Sequence, residues 1–493
     1  MKLLLHYRPT FRIPGAARSA LLLGAIFLAA LHAAAQRLVF AHYMLANQDY
    51  QADSDPTQEL KIAAYEREIR QAQAMGIDGF ALNAGGWLRQ PYYIRYAAQM
   101  FEAAVRLHSG FKLMFSADMC CGNGIDDVED MMRRFAGNPR YAQVYFRRNG
   151  AFVLTTFAGS KLGPAAWQKL RSDLATGANP STHVEATALP SASAAPSNAP
   201  LKVFLVPAFF WGGELPSPSA IHQNFNPWRS TIDGFFYWGI AGVPRSGGDL
   251  DQLKSSDAYA SILHSVGKLY MAPVCLQFWG SNANRYYEYS GAAGMRAMWI
   301  NAIRVTHPEW VEIITWNDFI EGSYISPIDD PNRYPNANFL GSSGIPLGLR
   351  NYFPSRAPAA GLLKFYIQWY KTGLEPAITQ DAVYSFYRPQ SRLAAAAKPP
   401  VAHTYGPAAS KLYITANLTA PAELRVTTSD GSRLLYLPAG SSDAQTPLTA
   451  GAPPRLELIR GGRVLAASQA VVPVEAHPPF NNDYYATAVL TAP

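Results

Sequence analysis

Three acids in this chain stand where short apolar runs end. Asp118 follows Lys112-Leu113-Met114-Phe115-Ser116, Asp318 follows Val311-Glu312-Ile313-Ile314-Thr315-Trp316, and Glu321 comes three residues later. His42, Asn83, Trp238, Trp316 and Asn317 occupy the same kind of position, with Trp279 in a Gly/Ser/Asn loop and Tyr324 just beyond Glu321. Carboxylates converging on an aromatic-lined opening are what cleavage of a glycosidic bond needs. One carboxylic acid protonates the leaving oxygen while another carboxylate activates water or attacks the sugar. Flat indole rings supply stacking platforms for a pyranose. Each residue also has a plainer reading. Asp118 could partner the Gly122-Asn123-Gly124 turn, Asp318 could cap the turn behind it, Glu321 alone could be a solvated loop charge, His42 a satisfied core histidine, and Trp238 wall packing. The combination favours chemistry. Other reactions lack their signatures: there is no Gly-rich phosphate loop, no HExxH pair and no Gly-x-Ser-x-Gly elbow, and the ten His residues have no ligand spacing. No cofactor and no metal are expected.

Residues so far apart in the chain meet only if the fold carries them to one place. Apolar runs of five or six residues at 38–42, 79–83, 112–116, 152–156, 203–207, 234–238, 269–273 and 311–316 tend to be followed by a helical pattern. Their near-continuous apolar character fits strands buried on both faces, as in a closed parallel sheet. Asp55-Pro56 offers a helix start running to Gly76, and Met295, Met298, Trp299 and Ile303 repeat at helical spacing. The expected fold is α/β: a (β/α)8 TIM barrel over 36–355, then a helical or extended connector over 356–400 that includes an aromatic helix at 362–370. A small antiparallel β-sandwich over 401–493 follows, its short alternating runs punctuated by Gly, Asp and Pro. An Ala/Ser/Pro/Thr-rich stretch at about 175–200 reads as a surface insertion. In such a barrel the C-terminal strand ends share one mouth, which is where the three acids fall.

Composition bounds the partners. The chain has 493 residues, 49% hydrophobic, 16% charged and 12% aromatic, enough for two or three packed units. Residues 1–35 hold Lys2, Arg8, Arg12 and Arg18 and no acid, so the remainder carries 38 basic against 35 acidic groups, too even for a nucleic-acid partner. That basic stretch, the apolar run at 20–31 and Ala33-Ala34-Ala35 read as a secretory signal peptide, since the run falls short of the roughly twenty residues a membrane span needs. A secreted or periplasmic monomer without stable membrane insertion is expected. Adjacent Cys120 and Cys121 and distant Cys275 exclude a disulfide framework and favour unpaired, buried thiols.

The segments Val39-Phe40-Ala41-His42-Tyr43-Met44, Gly76-Ile77-Asp78-Gly79-Phe80-Ala81-Leu82-Asn83, Phe111-Lys112-Leu113-Met114-Phe115-Ser116-Ala117-Asp118-Met119, Tyr270-Met271-Ala272-Pro273-Val274 and Glu312-Ile313-Ile314-Thr315-Trp316-Asn317-Asp318 resemble glycoside hydrolase family 71, the α-1,3-glucanases or mutanases. The likeness spans roughly residues 37–390. It implies a (β/α)8 barrel followed by β domains, an α-glucan polysaccharide as substrate, and hydrolysis of α-1,3 bonds with inversion. The family's functional carboxylates fall on Asp118, Asp318 and Glu321. The sequence departs from the family at Ile320-Glu321-Gly322-Ser323-Tyr324, where Gly-Glu-Ser-His-Tyr is usual, and in the insertion and Cys120-Cys121. Two rival readings are a glycosidase of the same scaffold acting on a different bacterial polysaccharide and a polysaccharide-binding protein without turnover.

Overall fold

The computed structural model describes residues 37–47, 58–177, 197–209, 216–240, 252–280, 285–287, 289–319, 321–327, 355–389, 402–405, 410–470, 472–476 and 486–492. The expected signal peptide, Asp55-Pro56 and most of the expected insertion lie outside the described residues. The chain divides into 1–37 and 38–493, and the second unit holds every element below.

The fold is mixed α/β. Eight parallel strands follow the apolar runs: β1 (Leu38–Met44), β2 (Gly79–Ala84), β3 (Lys112–Asp118), β4 (Ala151–Phe157), β5 (Val203–Pro207), β6 (Gly234–Phe236), β7 (Leu269–Cys275) and β8 (Trp310–Ile314). Helices alternate with them: α1 (Gln58–Met75), α2 (Tyr92–Leu107), α3 (Ile125–Met131), α4 (Pro164–Thr176), α5 (Pro218–Phe225), α6 (Gln252–Ser265) and α7 (Ala293–Asn301), with α8 (Ala360–Thr372) later in the chain. The strands lie in the order β5-β4-β3-β2-β1-β8-β7-β6. The sheet curls, and Asp233 N–H, just before β6, donates to Leu205 O of β5 at 2.9 Å.

Side chains alternate between the faces of each strand. On the concave face Phe40, Phe146, Phe204 and Trp310 pack at the N-terminal end, with Phe40 and Phe146 ring centroids 4.8 Å apart. On the convex face Phe115 meets Phe101 of α2 and Phe235 meets Tyr259 of α6. Three acids at the N-terminal rim share one task. Asp78, Asp233 and Glu309 each precede a strand and accept a backbone N–H from its neighbour: Val39 at 2.8 Å, Leu205 at 2.8 Å and Tyr270 at 3.0 Å. Each also meets a cation, respectively Lys371 of α8, Arg171 of α4 and His264 of α6. Burial alone would raise the Glu309 carboxyl, but the His264 and Tyr270 bonds outweigh it and hold it below its ordinary value.

Two four-stranded antiparallel sheets follow. One has the order β13-β10-β9-β16, with β9 (Asp381–Tyr387), β10 (Lys411–Leu418), β13 (Gly440–Pro447) and β16 (Ala486–Ala492). The other has the order β12-β11-β14-β15, with β11 (Ala422–Thr428), β12 (Gly431–Leu437), β14 (Arg455–Arg460) and β15 (Arg463–Gln469). β9, inside the expected connector, is an interior strand of the first sheet. Val383, Ile414, Leu424, Val426, Leu458 and Leu490 from both sheets share one core.

Candidate active site

β3 delivers Asp118 to the C-terminal rim, where the strand gives way to a turn at Met119. One carboxylate oxygen accepts the N–H groups of Cys120 at 2.8 Å and Cys121 at 3.2 Å, while Asn83 Nδ2 approaches the other at 3.4 Å. No ion pair holds Asp118 among the described residues. The turn is pinned from β2: Asn123 accepts from Trp87 N–H at 2.9 Å and donates to Ala84 O at 2.6 Å. Gly85 packs so tightly that a Cβ there would lie 2.4 Å from Cys121 Cβ. All three thiols are unpaired, but Cys120 and Cys121 are exposed rather than buried, because this turn carries them to the surface; only Cys275 is buried.

The turn after β8 carries the other two acids. Thr315 Oγ1 accepts Asp318 N–H at 2.8 Å, and Asp318 Oδ1 accepts Glu321 N–H at 3.0 Å, so both acids belong to one folded turn. Asn317 ties it to β1, accepting from Met44 N–H at 2.7 Å and donating to Met44 O at 3.1 Å. Glu321 is half-buried. Burial pushes the Cys275 thiol, at the end of β7, up to about 12, the bond with Tyr289 lowers it in part, and the Glu321 carboxylate adds to the rise. The acids therefore leave β3 and β8, with β2 and β1 between them.

Several candidates are occupied by packing. Trp316 is fully buried and lies against Phe80, which itself meets Phe111 edge-to-face and Tyr43 at a tilt on the convex side of the sheet. The strand ends at Ile314, so the two-residue alternation no longer sets the direction of Trp316. Tyr324 is fully buried between Phe319 and the Arg356 guanidinium, and Asn317 is fully buried as well. Trp279 lies in a short strand, Phe278–Gly280, but its side chain lies outside the described residues. Trp238 follows β6 and reaches inward to His42, with centroids 4.7 Å apart, and to Phe157 at 4.9 Å; Phe157 is the register partner of Asp118. Asn83, Asp118, Phe157, Trp238 and His42 are thus contiguous.

Glu312 was not among the residues singled out from sequence. Its carboxylate meets His42 Nδ1 at 2.6 Å, and both residues are buried. Burial pushes the Glu312 carboxyl above its ordinary range, against the pull of His42. An acid inside a run as apolar as Val311-Glu312-Ile313-Ile314 was the available signal, because a fully buried charge requires a partner. Among the described residues no cluster of three or more His, Cys, Asp or Glu could hold a metal ion.

The chain is similar to the glucan endo-1,3-alpha-glucosidase of Schizosaccharomyces pombe, 27% identical over 92% of this chain and 95% of that protein. It is similar also to a mutanase of Penicillium rubens, 24% identical over 89% of this chain and 85% of that protein. An ascus wall endo-1,3-alpha-glucanase of Schizosaccharomyces pombe is 25% identical over 73% of each chain. The pattern of one family, glycosyl hydrolase family 71, runs through residues 35–490, taking in both acid-bearing turns and most of the antiparallel sheets. The chain belongs to glycosyl hydrolase family 71 and is a glycoside hydrolase.

Proposed function

We propose that this hydrolase cleaves the α-1,3-glucosidic bonds of a glucan outside the cytoplasm, with inversion at the anomeric carbon. The observation that carries this reading is the placement of Asp118 at the end of β3 and of Asp318 and Glu321 in the turn after β8. Three strand steps separate these places, roughly 14 Å along the sheet. An inverting acid and its water-activating base flank a sugar at ~6.5–9.5 Å, so the reading requires the curl of the sheet to bring the acids that much closer than their spacing along it. Glu321, half-buried in the turn after β8, serves as the general acid. Asp318 or Asp118 holds the attacking water on the opposite face of the ring, and the remaining acid positions hydroxyl groups. The substrate class follows the similarity to a glucan endo-1,3-alpha-glucosidase and a mutanase.

The finer architecture belongs to the same proposal: a closed (β/α)8 barrel, supported by the Asp233–Leu205 bond between edge strands, followed by a β-sandwich, supported by the shared core of the two antiparallel sheets. No helix among the described residues is long and apolar enough to cross a membrane. Incubation with α-1,3-glucan, with the anomer of the first product followed by NMR, tests the reading. A β-anomer released from the α-linked polymer is expected. An α-anomer removes the inverting mechanism, and release of sugar only from other linkages removes the substrate.

A further inference from the structure

Beneath the acid-bearing rim, next to the aromatic cluster of Phe40, Phe146, Phe204 and Trp310, the concave face holds a buried acid–imidazole pair. Glu312 on β8 stands level with Phe40 of β1, two residues nearer the N-terminal rim than His42. The bond between Glu312 and His42 Nδ1 at 2.6 Å therefore draws that edge of the imidazole toward the N-terminal end of the barrel strands. The imidazole meets Trp238 at 4.7 Å with the ring planes 79° apart. His42 is 1% exposed and Nε2 has no hydrogen-bond partner among the described residues, so the ring is packed against the indole rather than open to a sugar. Phe157 meets the same indole at 4.9 Å and 73°, and Phe157 lies beside Asp118 in register. An edge-to-face pair has an energetic preference for one geometry, so a fixed imidazole fixes the indole.

We propose that Glu312 is a positioning residue, holding His42 by Nδ1 so that His42 in turn sets the plane of Trp238 as the floor under the glucosyl unit beside Asp118. This rests on the α-1,3-glucanase reading for the identity of the sugar, but the relay from Glu312 to Trp238 is a property of the chain alone. A buried acid kept only for stability would be replaceable by any well-packed side chain. A positioning acid requires an acceptor for Nδ1–H, and its loss is felt in sugar binding more than in turnover.

Three variants test this: Glu312→Met removes the acceptor, Glu312→Gln keeps an amide oxygen in its place, and His42→Gln removes the imidazole. With soluble α-1,3-linked glucose oligomers, E312M and H42Q should each raise KM about three- to tenfold with kcat within about twofold, the fold-change expected for an edge-to-face aromatic contact. E312Q should stay within about twofold on both parameters, and the H42Q/E312M double variant should lose no more than H42Q alone. The readout independent of activity is the near-ultraviolet circular dichroism band assigned to Trp238 by its disappearance in Trp238→Phe. That band should be lost in E312M and H42Q and retained in E312Q. A band unchanged in H42Q, a fall in kcat at constant KM, or losses that multiply in the double variant would each overturn the proposal. If E312M does not fold, the band in H42Q decides. If the band behaves as stated and α-1,3-linked oligomers are not cleaved, the glucanase reading fails and the relay stands.

Discussion

Replacing Asp118 separates a carboxylate that performs chemistry from one that only holds a turn. Its Oδ1 accepts two backbone N–H groups, from Cys120 and Cys121, and Oδ2 is approached by Asn83 Nδ2. Asp118→Asn keeps an oxygen for the two N–H groups, and the Asn83 amide can turn over to offer its own oxygen to the new NH2. Asp118→Ala leaves both N–H groups without that acceptor. At ~1.5–3 kcal/mol for each hydrogen bond to a charged group, and with water reaching this exposed turn, D118A should lose about 2–4 kcal/mol of stability. D118N should lose less than about 1 kcal/mol. If the charge takes part in activating water or orienting the sugar, D118N should nevertheless lose roughly 10²- to 10⁴-fold in kcat. The assay pairs reducing-sugar release from α-1,3-glucan with thermal unfolding of the same preparations. Activity in D118N above about a tenth of wild type, with the turn intact, would remove Asp118 from the reaction and leave it as a turn residue; equal instability of the two variants would refute the geometry.

Glu321→Gln should lower kcat at least about 10²-fold while α-1,3-linked oligomers still bind, as calorimetry would show; loss of binding with turnover would point to a contact rather than an acid. Gly85→Ala should push Cys121 and, through it, the Asp118 turn, destabilising by about 1–3 kcal/mol and lowering activity. Cys121→Gly in that background should restore part of both, and no restoration would mean the collision lies elsewhere. The Glu309–His264 pair sets a pH window. The raised His264 value contributes stability fully below its unfolded 6.5 and loses it as pH rises through the folded value. The lowered Glu309 value contributes above its unfolded 4.5 and loses it as pH falls through its folded value. His264→Asn should therefore destabilise most near about pH 5.5 and least above about pH 8, read by denaturant unfolding at each pH. A difference that grows toward alkaline pH would contradict the pairing.

The strands were legible because both faces of this sheet are covered, so each is written as an unbroken apolar run; all eight runs became strands, with only their ends shifted. β3 extends to Asp118 itself, and β6 stops at Phe236, two residues short of the expected end. Asp118, Asp318 and Glu321 were legible as strand-end acids, although residue order does not tell which way a side chain turns after the strand stops. Trp316 illustrates the loss: it lies two residues beyond Ile314 and turns to the convex side, onto Phe80. Tyr324 and Asn317 likewise entered the packing of the turn. Glu312 escaped because an acid inside an apolar run reads as an interruption of a strand until its partner, 270 positions away, is beside it. β9 was hidden in the expected connector because its partners, β10 and β16, come later in the chain.

The acids of the opposite rim, Asp78, Asp233 and Glu309, point to a division of labour between the two ends of the sheet. Each fastens a neighbouring strand to a helix at the end away from Asp118, Asp318 and Glu321, so strand alignment does not depend on the loops that carry those acids. Those loops are consequently the place to graft: exchanging them for segments from enzymes with other linkage preferences should alter selectivity while the scaffold keeps its alignment.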